Sequence, residues 1–142
     1  MPNLLFSICS ELVSLDRITN NISIFNVLED FTSNKFPFVF PRLFITTLWQ
    51  RKSDEKNIEF EARIKFTNPK KESIKKIMAN WQFTKLRHRH IALVLNLKFD
   101  IPGTYNFEIY LRKKDEKEWG KSIFKIPLVA KKAIVNDKKN IH

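Results

Sequence analysis

Glycine is almost missing from this chain, with two in 142 residues, which rules out a glycine-rich phosphate loop. Cysteine occurs once, at Cys9, so an internal disulfide and a cysteine-based zinc cluster are both excluded. Cys9 lies among apolar neighbours and reads as a small core residue, with no cationic partner in sequence to make it a thiolate. No apolar run approaches the ~20 residues that span a bilayer as a helix. Met1 to Ser10 lacks the positive start and small-residue cleavage site of a signal peptide, so the expected location is cytoplasmic. Ser7, Ser10 and Ser14 have no histidine nearby, and no G-x-S-x-G elbow exists. An enzyme is not expected, and no cofactor or metal is implied.

What the chain has is period-two alternation. From Ile58 to Thr67 the even positions are apolar up to Phe66 and the odd ones polar, the pattern of a strand buried on one face. Ile91, Leu93, Leu95, Leu97 and Phe99 make a second run, and Tyr105, Phe107, Ile109 and Leu111 a third. Leu4 to Leu15 and Ile22 to Leu28 flank a polar turn, Leu43 to Trp49 leads into the tip 51–57, and Trp119 to Val129 follows the tip 113–118. Pro127 predicts an edge strand or a bulge at that last run. The 13 phenylalanines supply core volume for one domain, residues 1–130, followed by a basic, frayed tail, 131–142.

Residues 70–85 read two ways. Ile74, Ile77, Met78 and Trp81 fall on one helical stripe, with Asn68 and Pro69 as cap and first turn, which predicts a short helix near 70–80. Phe99 to Phe107 contains Pro102-Gly103-Thr104-Tyr105, a turn joining two alternating runs with a tyrosine placed to bond back to upstream backbone. Pro102, Gly103 and Tyr105 are assigned to a structural corner. The expected fold is all-β: an antiparallel, immunoglobulin-like β-sandwich of seven or eight strands.

Several pieces occur in a familiar order: Cys9 in the first strand, Asp16 opening a turn, then Ser23 to Val27 and Phe36-Pro37. Ile64 to Pro69 and Pro102 to Phe107 follow. This order resembles a family of small uncharacterised bacterial proteins, a domain of unknown function with an all-β sandwich, over residues 4–129. The resemblance implies an irregular strand where the stripe implies a helix, and it transfers no catalytic or binding residue. Lys70-Lys71 departs from it where a Gly or Asp-Gly turn is more usual.

The net charge is +11, with +7 on residues 70–98 and +6 on residues 112–142. An anionic partner is one reading, and a lysine-rich codon bias the other. Lys75, Lys76, Lys85, Arg87 and Arg89 are the candidate anion-binding residues, with Trp81 and Phe83 interleaved as stacking aromatics. No RRM, KH or helix-turn-helix signature supports nucleic acid. His88 and His90 point the same way in an extended chain, but the nearest third ligands, Asp100, Glu108 and His142, complete a metal site only by accident of fold, so a solvated strand end is expected. Glu59 and Glu61 read as a solvated face.

Ala92 and Val94 lie opposite Leu93 and Leu95, so that strand is apolar on both faces. If Leu93 and Leu95 point inward, Ala92, Val94 and Trp81 become interface candidates, covered by the 70–81 segment or by a second subunit. The function read from all this is a non-enzymatic interaction module binding another protein or its own copy. The alternative is an anion-binding domain using the basic segments 70–98 and 112–139.

Overall fold

The computed structural model describes residues 1–134. The expected tail 131–142 therefore lies mostly outside the described residues, as does His142. Nine strands follow in order: β1 Asn3–Leu15, β2 Ile22–Val27, β3 Asp30–Ser33, β4 Phe38–Gln50, β5 Glu59–Thr67, β6 Ser73–Gln82, β7 Arg87–Phe99, β8 Gly103–Lys113 and β9 Phe124–Lys132. They form a four-stranded sheet, β2-β1-β4-β7, packed on a five-stranded sheet, β3-β9-β8-β5-β6. The fold is a β-sandwich, antiparallel except where β3 runs parallel to β9. The first two residues of the expected tail are strand, because Lys131 and Lys132 pair with Thr32 and Ser33.

The short helix near 70–80 does not form; those residues are strand β6. β5 offers a free edge, and β6 pairs along it from Glu59↔Gln82 to Thr67↔Ser73. This splits the helical stripe: Ile77 and Trp81 turn inward, while Ile74 and Met78 stay exposed. Pairing with a neighbour outweighs local periodicity here. The turn before β6 is tight without a glycine. Lys71 takes φ +65°, and the Asn68 Oδ1 accepts from the amides of Lys70 (3.0 Å) and Glu72 (2.8 Å).

Pro127 sits in β9, which is not an edge strand of its sheet. β3 pairs with β9 only from Val129 onward, so at Pro127 the β3 side is still unpaired and no ladder donor is missed.

β7 carries the largest revision. Ala92, Val94, Leu97 and Phe99 are buried, while Leu93 and Leu95 are each 49% exposed. The inward set changes phase at Asn96, whose φ is +53°. β4 changes phase opposite it: Phe40 and Leu43 are buried with Pro41 and Arg42 exposed between them. Arg87 and Arg89 therefore share the outer face with Leu93 and Leu95, and no cation has to be buried in the core.

The lower core is aromatic. Phe99 packs against Phe31, Phe40, Phe66 and Tyr105 at ring separations of 4.7–5.7 Å. Pro102 and Gly103 open β8 above it. The Tyr105 hydroxyl donates to the Ile101 carbonyl (2.7 Å) and accepts from the Ile101 amide (3.2 Å), tying the turn to the core.

Candidate functional site

Two surfaces stand out. The first is a cleft of about 520 Å³ at one end of the sandwich, lined by Asn20, Leu48, Gln82, Phe83, Thr84, Lys85, Arg87, His88 and Arg89. The loop between β6 and β7 forms one wall and the tip of the β1–β2 hairpin another. That tip is brought over by Arg89, whose two terminal nitrogens donate to the Asn20 carbonyl (3.1 Å) and Asn20 Oδ1 (3.2 Å). Ser10 and Thr46, placed on the outer face by register, are fully buried, consistent with the hairpin folding over that part of the sheet.

Arg51 fixes the β6–β7 loop, with its amide donating to the Leu86 carbonyl (3.0 Å) and its Nε to the Lys85 carbonyl (3.1 Å). Arg87 Nε donates to Gln50 Oε1 (3.1 Å). Among the described residues, no carboxylate lines the cleft. Among the described residues, Lys85, Arg87 and Arg89 have no ion-pair partner.

Of the five sequence candidates for anion binding, the fold brings together Lys85, Arg87 and Arg89 only. Lys75 points into the open side of the sandwich and donates to the Leu95 carbonyl (2.7 Å) beside the Asn96 irregularity. An inward lysine of this kind also blunts a sheet edge. Lys76 stands opposite Lys65 on the far sheet. The stacking aromatics are not available: Trp81 is 7% exposed and Phe83 1%. Trp81 packs between Trp49 (5.5 Å), Phe60 (6.3 Å) and His88 (4.7 Å, planes 7° apart).

His88 and His90 are not a solvated strand end. Both face inward, and burial, reinforced by the charge of His90, lowers His88 to about 4. Burial lowers His90 as well. No group of three His, Cys, Asp or Glu side chains placed to hold a metal occurs among the described residues. Both imidazoles are neutral in the fold near pH 7 and gain protons more readily when it opens. Their contribution to stability is thus complete above about pH 6.5 and is lost as pH falls toward 4. Because His88 is partly solvated, we expect the loss between pH 7 and pH 5 to be about 1–2 kcal/mol. Urea midpoints of the wild type and His88→Phe, which keeps the stack on Trp81, check this. Equal pH slopes for the two proteins would remove His88 as the cause.

Cys9 is free and buried, and burial pushes its thiol up to about 12, so it stays protonated. Glu59 is exposed as expected, while Glu61 is largely covered. Glu59 pairs with Lys114 and Glu61 with Arg112, each at 3.1 Å. Trp119, expected in a strand, lies instead in the loop before β9, with its ring 4.0 Å from the Arg112 guanidinium and 4.8 Å from that of Arg63. This clasp ties the loop to the outer face of the five-stranded sheet.

The second surface is an apolar patch on β4 and β7. Leu93 stands opposite Phe44, and Leu95 opposite Arg42, whose guanidinium lies 5.7 Å from the Phe44 ring. The expected interface residues Trp81, Ala92 and Val94 are instead in the core, at 7%, 4% and 1% exposure: the phase change at Asn96 puts Ala92 and Val94 on the inner face of β7, and pairing of β6 with β5 turns Trp81 inward.

Asn20, Gln50 and Arg51 complete the cleft and were invisible to sequence reasoning. They come from segments remote from residues 85–89, and nothing local signals that the hairpin tip reaches them. No helix of the described residues is long and apolar enough to cross a membrane. Residues 5–123 match the model of a family described as a family of unknown function (DUF6941). No curated protein matches the chain.

Proposed function

We propose a function from geometry, because this chain belongs to that family of unknown function. The protein is a non-enzymatic interaction module that docks a partner protein on the β4–β7 patch. The observation that carries this reading is the exposure of Leu93 and Leu95 on a strand whose other face is already packed into the core. Arg42 at the patch and a chain charge of +11 favour a partner presenting apolar side chains rimmed by carboxylates. The same charge opposes stacking a second copy on this face. The domain is read as immunoglobulin-like on the strength of the Tyr105 corner, and as a bacterial, cytoplasmic protein whose lone buried thiol fits a reducing compartment.

We expect sedimentation to show a monomer. We expect a partner captured from the native host, identified and purified, to bind the wild type at least about tenfold more tightly than Leu93→Glu/Leu95→Glu. Both side chains are half exposed, so the double variant should fold, and its melting curve verifies that. Self-association at the patch, or a purified partner insensitive to the double substitution, would overturn the reading.

A further inference from the structure

We propose that the cleft between the β6–β7 loop and the β1–β2 hairpin tip binds the phosphate group of a small phosphorylated molecule. This site is separate from the β4–β7 patch. Arg42 lies six residues along β4 from Leu48 of the cleft, about 20 Å away at the rise of a strand.

Three cations converge there from five consecutive residues, Lys85 to Arg89, and among the described residues no carboxylate lines the space they share. Arg87 is held by its Nε bond to Gln50, and among the described residues its terminal amino groups have no acceptor. A guanidinium fixed at one edge and open at the other presents the paired donors that suit a phosphate oxyanion. Lys85 adds a point charge whose backbone is anchored by Arg51. Arg89 spends both terminal nitrogens on Asn20 and is a positioning residue that holds the hairpin tip as a wall. Gln82 and Thr84 supply neutral donors and acceptors around the rim. The volume, about 520 Å³, falls in the range of small-molecule sites and leaves space for an organic group beyond the phosphate.

A nucleic-acid strand suits this surface poorly. Trp81 and Phe83 are closed off inside the core, so no stacking platform is presented. Lys75 and Lys76 diverge to other faces, so the cations form a focus and not a track for a phosphate backbone.

The test is a nitrogen-15 NMR titration at low ionic strength, including the arginine Nε signals. Phenyl phosphate, inorganic phosphate and a single-stranded oligonucleotide are the probes. We expect phenyl phosphate to bind saturably, with shifts confined to Asn20, Thr84, Lys85, Arg87 and Arg89, and more tightly than inorganic phosphate. Lys85→Gln and Arg87→Gln should each weaken it about tenfold, and Arg42→Gln should leave it unchanged. Among the described residues the Lys85 side chain makes no hydrogen bond or ion pair, so Lys85→Gln remains decisive if Arg87→Gln fails to fold. Failure to saturate in the millimolar range, shifts spread over lysines elsewhere, or equal weakening by Arg42→Gln would overturn the site. Tighter, steeply salt-dependent binding of the oligonucleotide would overturn the ligand class.

Discussion

Phe99→Ala is expected to cost about 4 kcal/mol. Phe99 is fully buried and sits where both sheets meet, touching Phe31 on β3, Phe40 on β4, Phe66 on β5 and Tyr105 on β8. Removing its ring leaves a cavity walled by four other rings, which are themselves held by the strands and cannot collapse into it. Each lost edge-to-face pair adds roughly 0.5–1.5 kcal/mol to the transfer term. For a domain whose total stability is of order 5–15 kcal/mol, a loss of about 4 kcal/mol is roughly a quarter to four-fifths of the total. Urea denaturation of the variant, with Phe25→Ala as an exposed control, measures the effect. A loss no greater than that of the control would show that the cluster is not the keystone of the lower core.

Gly103→Ala is expected to destabilise by about 3 kcal/mol although it adds a single methyl. Gly103 has φ +141°, a conformation that side chains rarely adopt, and a Cβ there would lie 2.7 Å from Pro69 Cγ and 3.0 Å from Pro69 Cβ. The pyrrolidine ring is stiff, so it cannot swing away as a long side chain would. Pairing the change with Pro69→Ala, which removes the Cγ and keeps the Cβ, isolates the closer contact: the double variant should recover the part due to the Cγ and keep the parts due to the Cβ and to backbone strain. Equal stability of Gly103→Ala and wild type would mean that the turn before β8 is free to rearrange.

The sandwich was legible because alternation reports burial on one face, and the runs at 58–67 and 105–111 give the correct inward residues. The run at 91–99 gave the wrong ones in its first half. Both alternating sets there are apolar, so pattern cannot say which faces the core. The phase change that decides it depends on Asn96 at positive φ and on Pro41 and Arg42 across the ladder. Residues 70–82 misled in another way, since their apolar residues fall on a helical stripe that the strand divides between its two faces. Only the presence of an unpaired β5 edge selects strand.

Of the cleft, Lys85, Arg87 and Arg89 were legible as a cluster because they are neighbours in sequence. Their separation from Lys75 and Lys76 was not, because it follows from which side of β6 each lysine occupies. The closure of the site by Asn20 was not legible either, since it needs the β1–β2 hairpin to fold across the sheet, a contact between residues 69 positions apart.

Taken alone, the sequence determined the class of fold and the turn at Pro102 to Tyr105. These rest on period, turn geometry and residue type, which are local. The tertiary structure alone decided which face of β7 is wet, how β6 divides its apolar residues between two faces and that three cations share one cleft with no carboxylate among its described lining residues. Those outcomes depend on hydrogen-bonded edges and packing partners that a one-dimensional pattern does not encode.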